Sequence, residues 1–173
     1  MPKKNLIFLV GYMGSGKSTI GRRLAKHLGF AFIDLDEAIV AKVGSSIPDY
    51  FTKYGEDAFR KVEQEVLHHL AGTSGAVIAT GGGTPCFFDN MAWMKAHGNV
   101  IYLKHHPKSL FRRLNQSNVA TRPVLGGLTG EALYLQIEER LALREPFYAQ
   151  AHWVIDQVHT PLLKIVEWCK SGN

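Results

Sequence analysis

Read from the N-terminus, the chain alternates short apolar runs with longer stretches in which apolar residues recur every three or four positions. The short runs cover residues 5–10, 30–33, 76–79, 100–103 and 152–155. Each is too brief for a helix and most are bounded by glycine or polar residues, so they predict buried β-strands. Between them the pattern predicts helices over 19–28 (closed by Gly29), 37–43 (closed by Gly44), 90–96, 107–114, 131–148 and 161–170. Pro48 suits the first turn of a further helix, which Gly55 interrupts and which resumes over 56–70 with Phe59, Val62, Val66 and Leu70 near helical spacing. Such alternation predicts an α/β fold, with a five-stranded parallel sheet covered by helices on both faces. Residues 115–130 break the pattern. They are polar, carry Pro123, Gly126, Gly127 and Gly130, and read as a functional lid or a disordered segment.

The first strand–helix junction carries the clearest chemistry. Gly11-Tyr12-Met13-Gly14-Ser15-Gly16-Lys17-Ser18 fits G-x-x-x-x-G-K-[ST], with an apolar strand before it and a helix after it. Glycines let backbone N–H groups curl around phosphate oxygens, and a helix N-terminus adds partial positive charge. Gly14, Ser15, Gly16, Lys17, Ser18 and Thr19 are therefore the candidate contacts of a nucleoside triphosphate. Lys17 reaches the β/γ-phosphates and the Ser18 hydroxyl serves Mg²⁺.

Composition narrows the partners. The length suits one domain, 1–173, with a full hydrophobic core. The net charge is +5, but Lys and Arg never run longer than a pair, which favours small anionic ligands over nucleic acid. No apolar run approaches the roughly 20 residues of a membrane helix, and residues 1–4 lead straight into the first strand, so neither a membrane span nor a signal peptide is predicted. Cys86 and Cys169 form no disulfide framework and no metal spacing, which points to a reducing cytoplasm. Cys86 reads as a pocket-wall or core residue, with a reactive thiol as the alternative. The adjacent pairs His68-His69 and His105-His106 cannot share one metal and read as surface, while Trp93, Trp153 and Trp168 read as packing residues.

Ligands of a parallel sheet sit beyond the carboxyl ends of its strands. The P-loop, Asp34 with Asp36, and Gly81-Gly82-Gly83 all fall there. The third strand runs into Thr80, not the Asp that many P-loop enzymes place on Mg²⁺, so Asp34 and Asp36 are the replacement. If both were extended they would face the same way, though either also suits a helix N-cap. The glycine triplet reads as a loop needing positive φ, as a close approach of ligand to backbone, or both.

Taken in order, Gly11 to Thr19, Asp34-x-Asp36, Gly55-Glu56 with Phe59-Arg60-x-x-Glu63, Gly81-Gly82-Gly83, Arg122-Pro123 and Arg144-x-Pro146-x-Tyr148 resemble the shikimate kinase family across essentially the whole chain. The resemblance implies a P-loop NTPase of three α/β/α layers, similar to the nucleoside-monophosphate kinases. It places a substrate-binding region at about 34–63 and a flexible lid at about 113–129. It implies transfer of the ATP γ-phosphate to the 3-hydroxyl of shikimate in aromatic amino acid biosynthesis, with Mg²⁺ as cofactor. The enzyme would be a cytoplasmic monomer with ATP and shikimate as partners and with no nucleic acid or membrane among them.

The family pattern also assigns roles. Arg60 and Arg144 would hold the acceptor carboxylate through their planar forks. Asp36 would bind the ring hydroxyls and accept the proton, Asp34 would act with Ser18 on the Mg²⁺ side, and Gly81, Gly82 and Gly83 would line the pocket, with Gly82 the backbone donor. Lys17, Asp36 and the lid residue Arg122 are the catalytic candidates, Arg122 also touching ATP. Arg113, with Arg112 in reserve, would stack on adenine. Any one arginine alone would read as an ion pair with a neighbour such as Glu63 or Glu145. Arg140, one turn before Arg144, could help hold anions. Departures are Val124 where the family commonly has Leu, a long run between Arg113 and Arg122, and an adenine loop at 156–161 that matches only in outline. The alternatives are a P-loop kinase of another small hydroxylated acceptor, such as gluconate or a nucleoside monophosphate, and a nucleotide- or nucleic-acid-binding protein without catalysis.

Overall fold

The structure is a computed structural model that describes residues 5–116, 126–156 and 160–171. Residues 117–125 of the expected lid, Arg122 among them, and residues 157–159 of the expected adenine loop lie outside the described residues.

The strands are β1 (Leu6–Val10), β2 (Ala31–Asp34), β3 (Ala76–Ala79), β4 (Asn99–Lys104) and β5 (Trp153–Asp156). They form one sheet in the order β2-β3-β1-β4-β5, and every pairing is parallel. β1 lies between β3 and β4 with all its residues buried, which is why its sequence is a continuous apolar run. Alternation along it divides the core. Leu6, Phe8 and Val10 join one cluster, and Ile7 and Leu9 the other.

Helices α1 (Lys17–Leu28) and α7 (Leu162–Lys170) pack together over the Ile7 face. The opposite face is covered by α2 (Leu35–Val43), α3 (Ile47–His69), α4 (Asn90–His97), α5 (Pro107–Gln116) and α6 (Gly130–Tyr148). Helix α2 begins at Leu35 and not at residue 37, because the Asp34 side chain accepts from the Asp36 and Glu37 amides and caps it. Helix α3 starts at its Ser46 cap with proline in the first turn, and Gly55, at φ 80° and ψ 175°, breaks it into two arms. Short 3₁₀ turns at Leu70–Gly72 and Thr84–Cys86 escaped the hydrophobic pattern, since such brief turns show no periodicity. No helix among the described residues is long and apolar enough to cross a membrane.

The parallel order brings the carboxyl ends of β1, β2 and β3 side by side, so the P-loop, Asp34 and the glycine triplet share one edge. Close packing beneath the opposite edge is strict. A Cβ on Gly98 would lie 2.4 Å from the Leu6 carbonyl oxygen, a backbone atom that cannot rotate aside. Gly98→Ala is therefore expected to cost roughly 2–3 kcal/mol in urea unfolding. Gly72→Ala, where nothing stands within 4 Å, should stay within about 0.5 kcal/mol of the parent.

Candidate active site

The loop after β1 is built to present backbone amides. Gly16, at φ 86°, is the N-cap of α1, and no side chain caps that helix end. A residue with a Cβ would resist this backbone conformation, and the uncapped amides suit an anion. Lys17 is 9% exposed, and its ammonium lies 2.7 Å from the Gly11 oxygen and 3.0 Å from the Tyr12 oxygen. It is held at the loop mouth by the carbonyls the turn directs inward.

Asp34 caps a helix and contacts the P-loop at once. Its Oδ1 accepts from the Asp36 amide at 3.0 Å and caps α2, while its Oδ2 accepts from the Ser18 hydroxyl at 2.8 Å. The two carboxylates do not share an extended face, because Asp34 ends β2 and Asp36 already lies in the first turn of α2. Asp36 instead reaches toward the glycine triplet, with Oδ1 3.4 Å from where a Cβ on Gly81 would sit. Water reaches Asp36 from the open side, but protein encloses much of the carboxyl. Burial first, then the charges of Asp34 and Glu63, push its pKa up to about 6 against the pull of Lys17 and Arg60.

Arg60 is an anchored side chain and not a surface pair. It is 11% exposed, donates from Nη1 to Glu63 at 3.1 Å and from Nη2 to Glu56 at 3.0 Å, and stacks on the Phe87 ring at 4.0 Å. Glu63 is 1% exposed and also accepts from the Thr84 hydroxyl at 2.7 Å, while Asn90 holds the Thr84 carbonyl. Glu145 does not pair with Arg144. It is engaged by Tyr102 at 2.5 Å and Lys104 at 3.0 Å. Arg144 sits 5.5 Å from the Tyr12 ring centre and beside Gly82, where a Cβ would meet its Nη1 at 3.3 Å.

None of Gly81, Gly82 and Gly83 has positive φ, so the conformational reading of the triplet does not hold. The need is for space: a Cβ on Gly83 would stand 2.8 Å from Arg60 Nη1. The triplet is secured from α6, where the Tyr148 hydroxyl donates to the Gly82 carbonyl at 2.5 Å. Burial pushes that phenol above its ordinary pKa, which keeps the donor protonated.

A cleft of about 1190 Å³ brings Lys17, Ser18, Asp34, Asp36, Arg60 and Arg144 onto one surface. Gly14, Gly16, Thr19, Gly81 and Gly82 line it as well, as do Arg113 and Arg140. Arg113 is exposed and donates to the Gly14 carbonyl at 3.4 Å. Ser15 and Gly83 are buried behind the wall and do not line the cleft, and Arg112 does not line it either. Val40, Ile47 and Phe51 form an apolar side that the sequence pattern did not single out. Thr84 and Phe87 were likewise given no role, and Tyr148 was quoted in the Arg144 motif without one.

Two further expectations change. Burial pushes the Cys86 thiol up to about 11, against the opposing charges of Arg144 and Arg60, which favours the pocket-wall or core reading over the reactive thiol. His105 is not a surface residue, being 8% exposed beneath the P-loop, and His68 is half-buried and stacked on Trp93 at 4.5 Å. Among the described residues, no group of three or more His, Cys, Asp or Glu is placed to hold a metal by itself.

A P-loop that opens directly onto a pocket lined by Arg60 and Arg144 is the arrangement of a P-loop kinase for a small acceptor. Comparison with known proteins narrows the class. The family model described as shikimate kinase matches residues 13–170. A shikimate kinase of Parabacteroides distasonis is 47% identical over 150 residues, covering 87% of this chain and 86% of the relative. The crystal structure of shikimate kinase from Bacteroides thetaiotaomicron superposes with a TM-score of 0.85 at 38% identity, covering 96% of each chain. That of the Acinetobacter baumannii enzyme in complex with shikimate gives 0.83 at 34% identity, covering 96% of this chain and 90% of the other. The chain belongs to the shikimate kinase family.

The environment of Asp36 has a measurable consequence. A carboxyl whose folded pKa is raised adds stability below its unfolded value near 3.8 and loses that contribution as pH rises through about 6. Asp36→Asn removes the penalised charge, so it is expected to raise the Tm at about pH 8 and to change it little at about pH 4. Thermal melts across that range decide; an equal gain at both ends would exclude Asp36 ionisation as the cause.

Proposed function

We propose that this chain transfers the γ-phosphoryl group of ATP to the 3-hydroxyl of shikimate and acts as one kinase domain over 1–173. In this reading 11–18 is the phosphate cradle, 34–63 the acceptor region and 113–129 the lid. One observation carries the proposal: Asp36, Arg60 and Arg144 share a single cleft with Lys17. The complex of the Acinetobacter baumannii relative with shikimate supports the acceptor.

Arg60 and Arg144 bind the shikimate carboxylate, Arg60 using the part of its fork not taken by Glu63 and Glu56. Asp36 hydrogen-bonds the ring hydroxyls and takes the proton of the attacking 3-hydroxyl. The new bond joins that oxygen to the γ-phosphorus as the bridging bond to the β-phosphate breaks and ADP departs. Lys17 neutralises charge on the transferring group, Gly82 and its neighbours shape the acceptor pocket, and Arg113 lies against the adenine side. Arg122, outside the described residues, is the lid cation that completes the charge balance.

A hydroxyl and a carboxylate already in contact, Ser18 and Asp34, supply the hard oxygen donors that Mg²⁺ prefers. They fit the ion and would hold it, Asp34 through water. Mg²⁺, when bound, supplies charge neutralisation at the β- and γ-phosphates. We further propose a monomeric, cytoplasmic enzyme whose partners are these two small molecules.

ADP release from ATP–Mg²⁺ with and without shikimate, coupled to detection of shikimate 3-phosphate, tests the activity. Strong shikimate dependence is expected, with Lys17→Ala lowering kcat at least about a hundredfold. Arg144→Ala should raise the KM for shikimate about ten- to a hundredfold with a smaller change in the KM for ATP. Turnover with gluconate or AMP but not with shikimate would overturn the acceptor. Because Asp36 has to be ionised to accept a proton, kcat/KM for shikimate should rise with pH through an apparent pKa near 6. A profile flat across that range would exclude Asp36 as the base.

A further inference from the structure

The turn between β4 and α5 places an imidazole under the phosphate cradle. His105 Nε2 lies 3.0 Å from the Ser15 carbonyl oxygen, and Nδ1 lies 3.3 Å from Ser109 Oγ. A carbonyl only accepts, so Nε2 carries a proton, and in the neutral ring Nδ1 accepts from the Ser109 hydroxyl. The platform is firm. Ser109 belongs to α5, whose Leu110 and Leu114 are buried, and Leu114 fills the space beneath Gly14 so closely that a Cβ there would stand 3.0 Å away.

The bond has a directional effect. In a trans peptide the C=O and N–H groups point in opposite directions. The same peptide unit that turns the Ser15 oxygen toward His105 turns the Gly16 N–H away from it, toward the cleft that Gly16 lines. Glycine at 16 permits the φ of 86° but also leaves other orientations of this peptide open. Something has to select one.

We infer that His105 is a positioning residue of the phosphate cradle: its bond to the Ser15 carbonyl sets the Ser15–Gly16 peptide so that the Gly16 amide faces the nucleotide phosphates. The inference rests on the reading of this cleft as an ATP site. It predicts an effect confined to the nucleotide side, because His105 contacts the P-loop and does not line the cleft that Arg60 and Arg144 share.

Titration calorimetry with ADP tests it without any acceptor. His105→Ala should weaken ADP binding roughly five- to tenfold and raise the KM for ATP similarly, leaving the KM for shikimate nearly unchanged. His105→Gln, whose amide nitrogen can donate to the same carbonyl, should recover most of the affinity, whereas His105→Leu, which fills space without donating, should not. Unchanged ADP affinity in His105→Ala, or equal losses in the Gln and Leu variants, overturns the inference. If His105→Ala does not fold, the comparison of Gln with Leu decides. Absence of ADP binding by the unaltered protein overturns the ATP-site reading and this inference with it.

Discussion

A carboxylate almost wholly removed from water organises the side of the cleft that carries Arg60. Glu63 is 1% exposed, and an ion so placed is tolerated only when its oxygens are engaged by opposite charge and hydrogen-bond donors. Arg60 and Thr84 meet that demand from two sides. Much else follows. Arg60 can aim a free part of its fork into the cleft only because Glu63 and Glu56 hold the rest, and the Phe87 ring beneath it fixes the plane. Gly83 has no side chain because the guanidinium occupies that volume. The short turn at Thr84–Cys86 exists where it does because Thr84 has to face Glu63.

The charges are arranged in opposition. Around Asp36 the acidic Asp34 and Glu63 oppose Lys17 and Arg60, and with burial they leave its ionisation penalised. That penalty is useful to a general base. A carboxylate with ordinary affinity for protons would take one poorly from an alcohol, while one raised by burial and like charge takes it more readily and still stays largely ionised at neutral pH.

Local features were legible in the sequence. The strands, the P-loop, the Pro48 start of α3 and the break at Gly55 depend on neighbouring residues, and the hydrophobic period, a proline or a single glycine revealed them. Of the site, Lys17, Ser18, Asp34, Asp36, Arg60, Gly81, Gly82 and Arg144 do converge on one cleft, as the motifs implied. What stayed hidden is non-local. Tyr148 reaches Gly82 across 66 residues and His105 reaches Ser15 across 90, and no spacing rule reports such contacts. The glycine triplet misled for another reason. Glycine answers two needs, positive φ and empty volume, and sequence alone does not say which; here it is volume. Asp34 was ambiguous because one carboxylate caps α2 with one oxygen and meets the Ser18 hydroxyl with the other.

The break at Gly55 divides labour along α3. The arm before it carries Ile47 and Phe51, which form the apolar wall of the cleft, and the arm after it carries Arg60 and Glu63, which hold the charge. A single unbroken helix would lock wall and anchor in one register, so that any change of wall would twist the buried ion pair. With the backbone uncoupled at one residue, the two are separate modules. Evolution can reshape the cavity by altering the first arm, while the second keeps Arg60 fixed against Glu63. The hinge residue is thus where the shape of the cavity becomes independent of the buried ion pair behind it.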